Sequence, residues 1–177
     1  MRGLDAGLRR LAMLDAAATV RANRALAHRG AHALFRVASR LGDGILWYAL
    51  MALVLVAEGP RGLVPIAHMV AVGALGLAIY KWLKMRTARP RPYQVHAAIR
   101  LGADPLDAFS FPSGHTLHAA AFGILFTAYY PLLGVVVLPF ATLVAASRLA
   151  LGLHYPSDVL AGAAIGSALA LGSLALM

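Results

Sequence analysis

The chain has 177 residues, of which 60% are hydrophobic and only 13% are charged. A soluble domain of this size has too little interior to bury so much apolar surface, so the composition excludes soluble globular and disordered proteins and predicts an integral membrane protein. The 16 Lys and Arg exceed the 7 Asp and Glu by 9, and all but Lys81 and Lys84 are Arg, which suits bidentate contacts with phosphate groups.

The first 40 residues predict an amphipathic helix rather than a membrane span. Apolar residues recur there at helical spacing: Leu4, Leu8, Leu11, Leu14 and Ala18. Cations interrupt any spanning run: Arg9, Arg10, Arg21 and Arg24. Such a helix could lie in the membrane interface, or it could be a solvated helix that packs on its own protein.

Five later stretches predict membrane spans, each of which needs about 20 mostly apolar residues. They run from about 44 to 57, 63 to 83, 116 to 130, 132 to 149 and 159 to 177. In the last span, Gly162 and Gly166 are four residues apart, which permits close helix packing. The predicted fold class is all-α: a single domain over residues 1–177, built as a polytopic membrane helix bundle of about five transmembrane helices with an N-terminal amphipathic interfacial helix.

Residues 84–112 form a long polar loop, and loops of this length are usually functional. Because successive spans alternate in direction, this loop, the start of the third span and the connection between the fourth and fifth spans share one membrane face. Six polar residues fall on that face: Lys84, Arg91, His115, Arg148, His154 and Asp158. Three further loop cations are interpreted as anchors to lipid headgroups: Arg86, Arg89 and Arg100.

Two short motifs on this face carry residues suited to phosphate chemistry. Pro112-Ser113-Gly114-His115 has the pattern of a helix start, whose free N–H groups bind anions; an ordinary capped helix is the alternative. The second motif pairs His154 with Asp158. A carboxylate that accepts the Nδ1 proton leaves Nε2 free to attack, whereas in the simpler interpretation Asp158 only caps the fifth span.

Together these residues predict phosphoryl transfer through a phosphohistidine. His154 is the candidate nucleophile, and His115 is the candidate general acid for the leaving alkoxide. The equatorial phosphate oxygens would be held by Lys84, Arg91, Arg148 and the amides of Ser113 and Gly114.

The three motifs, in order and with their internal spacing, resemble the signature of the type 2 phosphatidic acid phosphatases, which vanadium haloperoxidases share. They are Lys84-x6-Arg91-Pro92, Pro112-Ser113-Gly114-His115 and Ser147-Arg148-x5-His154-x3-Asp158. The stretch Leu41-Gly42-Asp43-Gly44 also looks like one that precedes a span in bacterial members.

The resemblance implies dephosphorylation of a membrane lipid phosphate or pyrophosphate without a metal or other cofactor. Candidate lipids are phosphatidic acid, phosphatidylglycerophosphate, a polyprenyl pyrophosphate and the 1-phosphate of lipid A. It also implies that His154, His115 and Asp158 act as nucleophile, acid and orienting carboxylate. The phosphate-binding residues it implies are Lys84, Arg91, Ser113, Gly114 and Arg148.

Two alternatives stay open. A lipid-to-lipid phosphotransferase would replace water with a lipid hydroxyl, and a non-enzymatic binder or transporter of anionic lipid would not need the pair His154 and Asp158. A nucleic-acid partner is not expected, since the chain lacks basic-aromatic modules.

The charge distribution predicts the orientation in a bacterial inner membrane. In the five-span topology every Lys and Arg except Arg61 lies on or beside the face that carries the motifs. The positive-inside rule therefore predicts a cytoplasmic catalytic face. Many bacterial relatives have six spans and work on the outer face, so a periplasmic site is the alternative.

Overall fold

The computed structural model describes the backbone of residues 2–177 and the side chains of residues 6, 7 and 9–177. No strand occurs in this part of the chain, and the predicted all-α class is confirmed. The helices are α1 (Arg2–Asn23), α2 (Arg29–Arg40), α3 (Leu46–Glu58), α4 (Leu63–Thr87), α5 (Pro92–Val95), α6 (Gly114–Tyr129), α7 (Pro131–Ala150) and α8 (Pro156–Leu174).

Within the described residues, three helical stretches are long and apolar enough to cross a membrane: Arg29–Val95, Pro131–Ala150 and Pro156–Leu174. The first contains α3 and α4, which correspond to the first two predicted spans. Helix α6 corresponds to the third predicted span. Its 16 residues extend about 24 Å at 1.5 Å per residue, which is less than the ~30 Å of hydrocarbon that a full span crosses.

Helix α6 lies at the centre of the bundle, where it contacts α4, α7 and α8. Trp47 of α3 is fully buried beside it, with ring centroids 5.7 Å from Phe122 and 6.3 Å from Phe126. Large apolar side chains on the outer surface of α7 and α8 are exposed, among them Leu132, Val135, Val136 and Leu160. In a membrane protein these side chains face lipid.

Helices α6 and α8 approach each other closely because α8 carries glycine at the contact. A Cβ atom on Gly162 would collide with the carbonyl oxygen of Ser113, and one on Gly166 with that of Leu117. The close packing predicted from these two glycines is therefore confirmed. The Ser113 amide donates a hydrogen bond to the carbonyl of Asp158 at 3.0 Å, which joins the first turns of the two helices.

Helix α1 packs on α7 and α8 with its polar side. Asp15, Thr19 and Asn23 are buried at intervals of four residues, whereas Leu11 and Leu14 are at least half exposed. The amphipathic helix thus packs on its own protein, as one interpretation proposed, and turns these apolar side chains outward, as an interfacial helix does. The predicted apolar positions Leu4 and Leu8 have side chains outside the described residues.

A kinked turn, Leu41–Ile45, connects α2 to α3. Gly44 has a φ of 124° there, a left-handed conformation that side chains other than glycine rarely adopt. Gly42 packs directly against Val144 of α7, where a Cβ atom would meet the valine at 2.8 Å. The turn places Asp43 beside the first turn of α6.

Candidate active site

One cavity of about 350 Å³ opens where the C-terminal ends of α4 and α7 meet the N-terminal ends of α6 and α8. Its polar lining includes six of the eight predicted site residues: Lys84, Arg91, Gly114, His115, Arg148 and His154. The other two, Ser113 and Asp158, are fully buried just behind that lining. The opposite part of the cavity is apolar, with Trp47, Met51, Val70, Leu77 and Phe122.

Two of the lining cations hold a carboxylate from the long loop. Lys84 Nζ lies 2.7 Å and 2.8 Å from the two carboxylate oxygens of Asp107, and Arg91 Nη2 lies 2.8 Å from one of them. Partial burial by itself raises the pKa of Asp107, but the hydrogen bond and charge of Lys84 and the charge of Arg91 outweigh it and lower that pKa. The carboxylate is therefore an anion at neutral pH, bound where two predicted phosphate ligands converge.

Arg148 is the third cation of the cavity and is almost fully buried. One of its terminal nitrogens donates to Ser39 Oγ of α2, while its Nε has no hydrogen-bond partner. Its carbonyl accepts hydrogen bonds from the amides of Leu153 and His154, both at 3.1 Å, which ties the α7–α8 connection to the end of α7. A buried N–H without an acceptor is costly, so Arg148 is well placed to bind an oxyanion.

His154 is fully buried between the cations and Asp158. Its Nε2 lies 3.4 Å from Arg91 Nη1 on the cation side, and its Nδ1 lies 3.7 Å from Asp158 Oδ2. Burial, and then the charges of Arg148, Arg91 and Lys84, hold the pKa of His154 well below its usual value. The imidazole is therefore neutral at pH 7 and keeps a lone pair.

The contact between His154 and Asp158 is longer than a hydrogen bond. Asp158 Oδ2 instead accepts the Tyr155 amide at 2.8 Å, so Asp158 caps α8 as the simpler interpretation proposed. The carboxylate therefore caps the helix and lies beside the imidazole without accepting its Nδ1 proton, and its orienting role stays a prediction.

Ser113 requires a correction. The sequence predicts that the Ser113 amide binds phosphate, but in the structure that amide donates a hydrogen bond to the carbonyl of Asp158. The Ser113 side chain pairs through Oγ with Thr116 Oγ1 at 3.0 Å. Ser113 therefore caps α6 and fixes its start, while the neighbouring Gly114 lines the cavity. The difference arises because α6 and α8 are close enough for their first turns to bond to each other.

Arg89 also requires a correction. The sequence predicts a headgroup anchor, yet the Arg89 guanidinium bonds Asp15 at 2.9 Å and Asp158 at 2.6 Å. Arg86 is exposed and lies over the Trp82 ring, 5.6 Å from its centroid, and Arg100 is exposed as well.

Sequence reasoning did not assign a role to Asp43. Its Oδ1 lies 2.6 Å from His115 Nε2, although the approach does not have hydrogen-bond alignment. The available signal was the stretch Leu41-Gly42-Asp43-Gly44, which contains the turn that carries this carboxylate. Asp107 gave no signal beyond its place in the long loop.

The fold and the site together define a helical membrane protein with a pocket lined by cations and histidines. The sequence profile described as the PAP2 superfamily matches residues 65–177, and the chain belongs to that superfamily.

Individual relatives have names that describe phosphatases of phosphorylated lipids. The chain is 36% identical to the decaprenylphosphoryl-5-phosphoribose phosphatase of Mycobacterium tuberculosis over 58% of its own length and 50% of that protein. It is 38% identical to the lipid A 1-phosphatase of Rhizobium etli over 48% of its own length and 38% of that protein. The chain thus spans half or less of the length of these two curated relatives.

A solved structure shares the fold. The transmembrane PAP2-type phosphatidylglycerolphosphate phosphatase of Bacillus subtilis superposes with a TM-score of 0.75 at 23% identity, over 93% of this chain and 84% of that one. The likeness in fold therefore extends beyond the part of the chain that the family profile matches.

Proposed function

We propose that this protein hydrolyses the phosphate or pyrophosphate group of a membrane lipid through a phosphohistidine, without a metal ion. The observation that carries the proposal is the single cavity in which Lys84, Arg91, His115, Arg148 and His154 meet at one end and apolar side chains line the other. No group of three His, Asp or Glu side chains in the described part of the chain is arranged to hold a metal. Fixed cations supply the charge stabilisation that a metal would otherwise provide.

In the first step, His154 Nε2 attacks phosphorus and forms a P–N bond while the bond from phosphorus to the lipid oxygen breaks. His115 gives its proton to the leaving alkoxide. The charge that develops on the equatorial oxygens is held by Lys84, Arg91, Arg148 and the Gly114 backbone. Asp158 orients the imidazole and stabilises its positive charge, which requires the 3.7 Å contact to shorten.

In the second step, a water molecule attacks the phosphorus of the phosphohistidine and the P–N bond breaks. His115 takes the proton from water, so both histidines return to their initial states. Before either step, the incoming phosphate must replace the Asp107 carboxylate at Lys84 and Arg91, because the same donors serve both anions.

The substrate class follows from the two ends of the cavity. An anionic head binds at the cations, and the adjoining part of an acyl or prenyl chain lies against Trp47, Met51 and Val70. Relatives named for a polyprenyl-linked sugar phosphate and for lipid A support a phosphorylated lipid. A phosphotransferase would use the same first step and a lipid hydroxyl in the second.

We further propose that the site opens on the cytoplasmic side of a bacterial inner membrane. The connection between α4 and α6 and the buried polar side of α1 lie at the cavity end of the bundle, together with nearly all described cations. Arg61 lies in the turn at the other end of α4. Retention of cationic ends in the cytoplasm favours this orientation.

The test is phosphate release by purified protein in detergent micelles with EDTA, on phosphatidic acid, phosphatidylglycerophosphate, undecaprenyl pyrophosphate and lipid A. We expect turnover of at least one lipid, inhibition by orthovanadate, and loss of activity in His154→Ala. Loss of a catalytic proton transfer in His115→Ala should reduce the rate about 10²- to 10⁴-fold. His28→Ala, at an exposed histidine outside the cavity, is the matched control and should retain full activity.

Full activity in His154→Ala would exclude the nucleophile assignment. An absence of turnover on every lipid, with tight binding of the same lipids, would favour the non-enzymatic binder.

A further inference from the structure

Arg89 connects the candidate active site to the N-terminal helix. Its Nη2 lies 2.9 Å from Asp15 Oδ2 of α1, and its Nη1 lies 2.6 Å from Asp158 Oδ1 at the start of α8. The Asp15 and Asp158 side chains are buried, with exposures of 5% and 0%, and the Arg89 side chain is 27% exposed. The plane of Arg89 also lies over the ring of Tyr155, with its central carbon 4.1 Å from the ring centroid.

Asp15 accepts further hydrogen bonds besides the one from Arg89. Its Oδ1 accepts the Ser157 amide at 3.0 Å, and its Oδ2 accepts the Ser157 hydroxyl. Arg89 Nη1 donates to that same hydroxyl oxygen at 2.7 Å. Since Ser157 lies in the first turn of α8, Asp15 binds a helix N-terminus, where a carboxylate is favoured.

These contacts leave Asp158 with little freedom to rotate. Arg89 binds its Oδ1, the Tyr155 amide binds its Oδ2, and the same Oδ2 faces Nδ1 of His154. Without Arg89, this fully buried carboxylate would keep one backbone hydrogen bond, and its angle to the imidazole would no longer be set from both sides. A change of about 1 Å in the position of a reacting group can cost about 10²-fold in rate.

We propose that Arg89 and Asp15 are positioning residues: Arg89 orients the Asp158 carboxylate behind His154, and Asp15 of the N-terminal helix orients Arg89. This inference rests on the proposed function, and it makes α1 part of the machinery that aligns the nucleophile. Neither residue lines the cavity, so we infer that both act through Asp158.

The test compares kcat and KM of variants on the lipid that the wild type hydrolyses fastest. We expect Arg89→Gln to lower kcat about 10²-fold with KM close to that of the wild type. Arg89→Lys should recover part of this loss, because one ammonium can still reach Asp158. Asp15→Asn should lower kcat less than Arg89→Gln, since Arg89 keeps its bonds to Ser157 and Asp158. The control is Arg21→Gln, which removes an exposed cation from α1, the helix that carries Asp15. This variant should leave kcat unchanged.

A double-mutant cycle separates positioning from a general loss of structure. In an Asp158→Asn background, Arg89→Gln should reduce kcat no further, because Arg89 acts through that carboxylate. A kcat within twofold of the wild type in Arg89→Gln, or losses that multiply in the double variant, would overturn the inference. If Arg89→Gln does not fold, Arg89→Lys and Asp15→Asn decide the matter: an unchanged kcat in both overturns it.

Different results would contradict the proposed function itself. It fails if the wild type releases no phosphate or if His154→Ala remains active. The positioning inference alone fails if the wild type is active and Asp158→Asn is impaired while Arg89→Gln and Asp15→Asn are not.

Discussion

Asp107 has the position of a bound anion, because its carboxylate takes hydrogen bonds from both Lys84 and Arg91. Its backbone carbonyl accepts a further hydrogen bond from Arg91 Nε at 3.1 Å, and the neighbouring Phe109 carbonyl accepts one from Lys84 at 2.9 Å. The loop therefore supplies one shared counter-ion to two buried cations, and a buried charge without any counter-ion is costly. The same contacts would make Asp107 a competitor for the phosphate that we propose binds at Lys84 and Arg91.

Removal of this competitor should tighten the binding of a phosphate mimic. We expect Asp107→Asn to lower the inhibition constant of orthovanadate about tenfold, which corresponds to roughly the free energy of one charged hydrogen bond. The measurement is inhibition of phosphate release in detergent micelles.

Asp104→Asn is the matched control, since Asp104 lies in the same loop and is exposed. Equal inhibition constants for the wild type and Asp107→Asn would contradict the competition. A similar gain in both variants would show that only the net charge of the loop matters.

The contact between α6 and α8 positions the candidate site at the level of whole helices. The first turn of α6 carries His115, the first turn of α8 carries Asp158, and the two turns are joined by the bond from the Ser113 amide. Gly162 and Gly166 permit this distance because their missing Cβ atoms leave room for the backbone of α6. Closely approaching helices in membranes commonly use small residues in this way.

A methyl group at this contact should destabilise the bundle. We expect Gly166→Ala to lower the free energy of unfolding by about 1–3 kcal/mol, the usual cost of overpacking, because its Cβ would overlap the Leu117 carbonyl oxygen. Thermal unfolding in detergent measures the effect.

Gly172→Ala is the control in the same helix, because no described atom outside the local helix backbone lies within 4 Å of the Cβ position there. We expect it to be neutral or stabilising, since alanine has the higher helix propensity. A Gly166→Ala variant as stable as Gly172→Ala would show that the two helices can move apart without cost.

On the scale of the whole molecule, the distribution of charge makes the two ends of the bundle chemically different. The cavity end carries the long loop, the N-terminal helix and the predicted phosphate ligands, whereas the far end includes the turn Gly59–Gly62 and the hydrogen bond from Tyr130 to Glu58. Apolar side chains are exposed between these ends. The proposed orientation across the membrane rests on this difference in charge between the ends.

Cysteine accessibility tests this orientation, because the chain has no native Cys. We expect Ala97→Cys, in the exposed long loop, to be protected from a membrane-impermeant maleimide in intact spheroplasts and labelled after lysis. Pro60→Cys, exposed in the turn at the far end, should be labelled in both. The opposite pattern would place the cavity on the periplasmic side and overturn the cytoplasmic orientation.

The sequence alone determined the helical class, the approximate positions of the helices and which three motifs converge. These properties follow from local order along the chain: a bilayer requires long apolar helices, and alternating spans bring every second connection to the same face. The glycine spacing in α8 likewise predicted its close packing before any contact was known. The positions of the motif histidines and cations are also predictable from the sequence, because these residues lie at the ends of predicted helices.

Only the tertiary structure decided which polar groups pair inside the site. Asp15 and Ser157 are 142 residues apart, and Arg89 is 74 residues from Asp15, so no local pattern indicates that they meet. In the sequence, Arg89 and Asp107 look like ordinary loop charges. Only the packing of the helices shows that their partners are buried. The physical reason is that a hydrogen bond between distant residues depends on how the helices pack in three dimensions, whereas hydropathy and motif spacing depend only on neighbours in the chain.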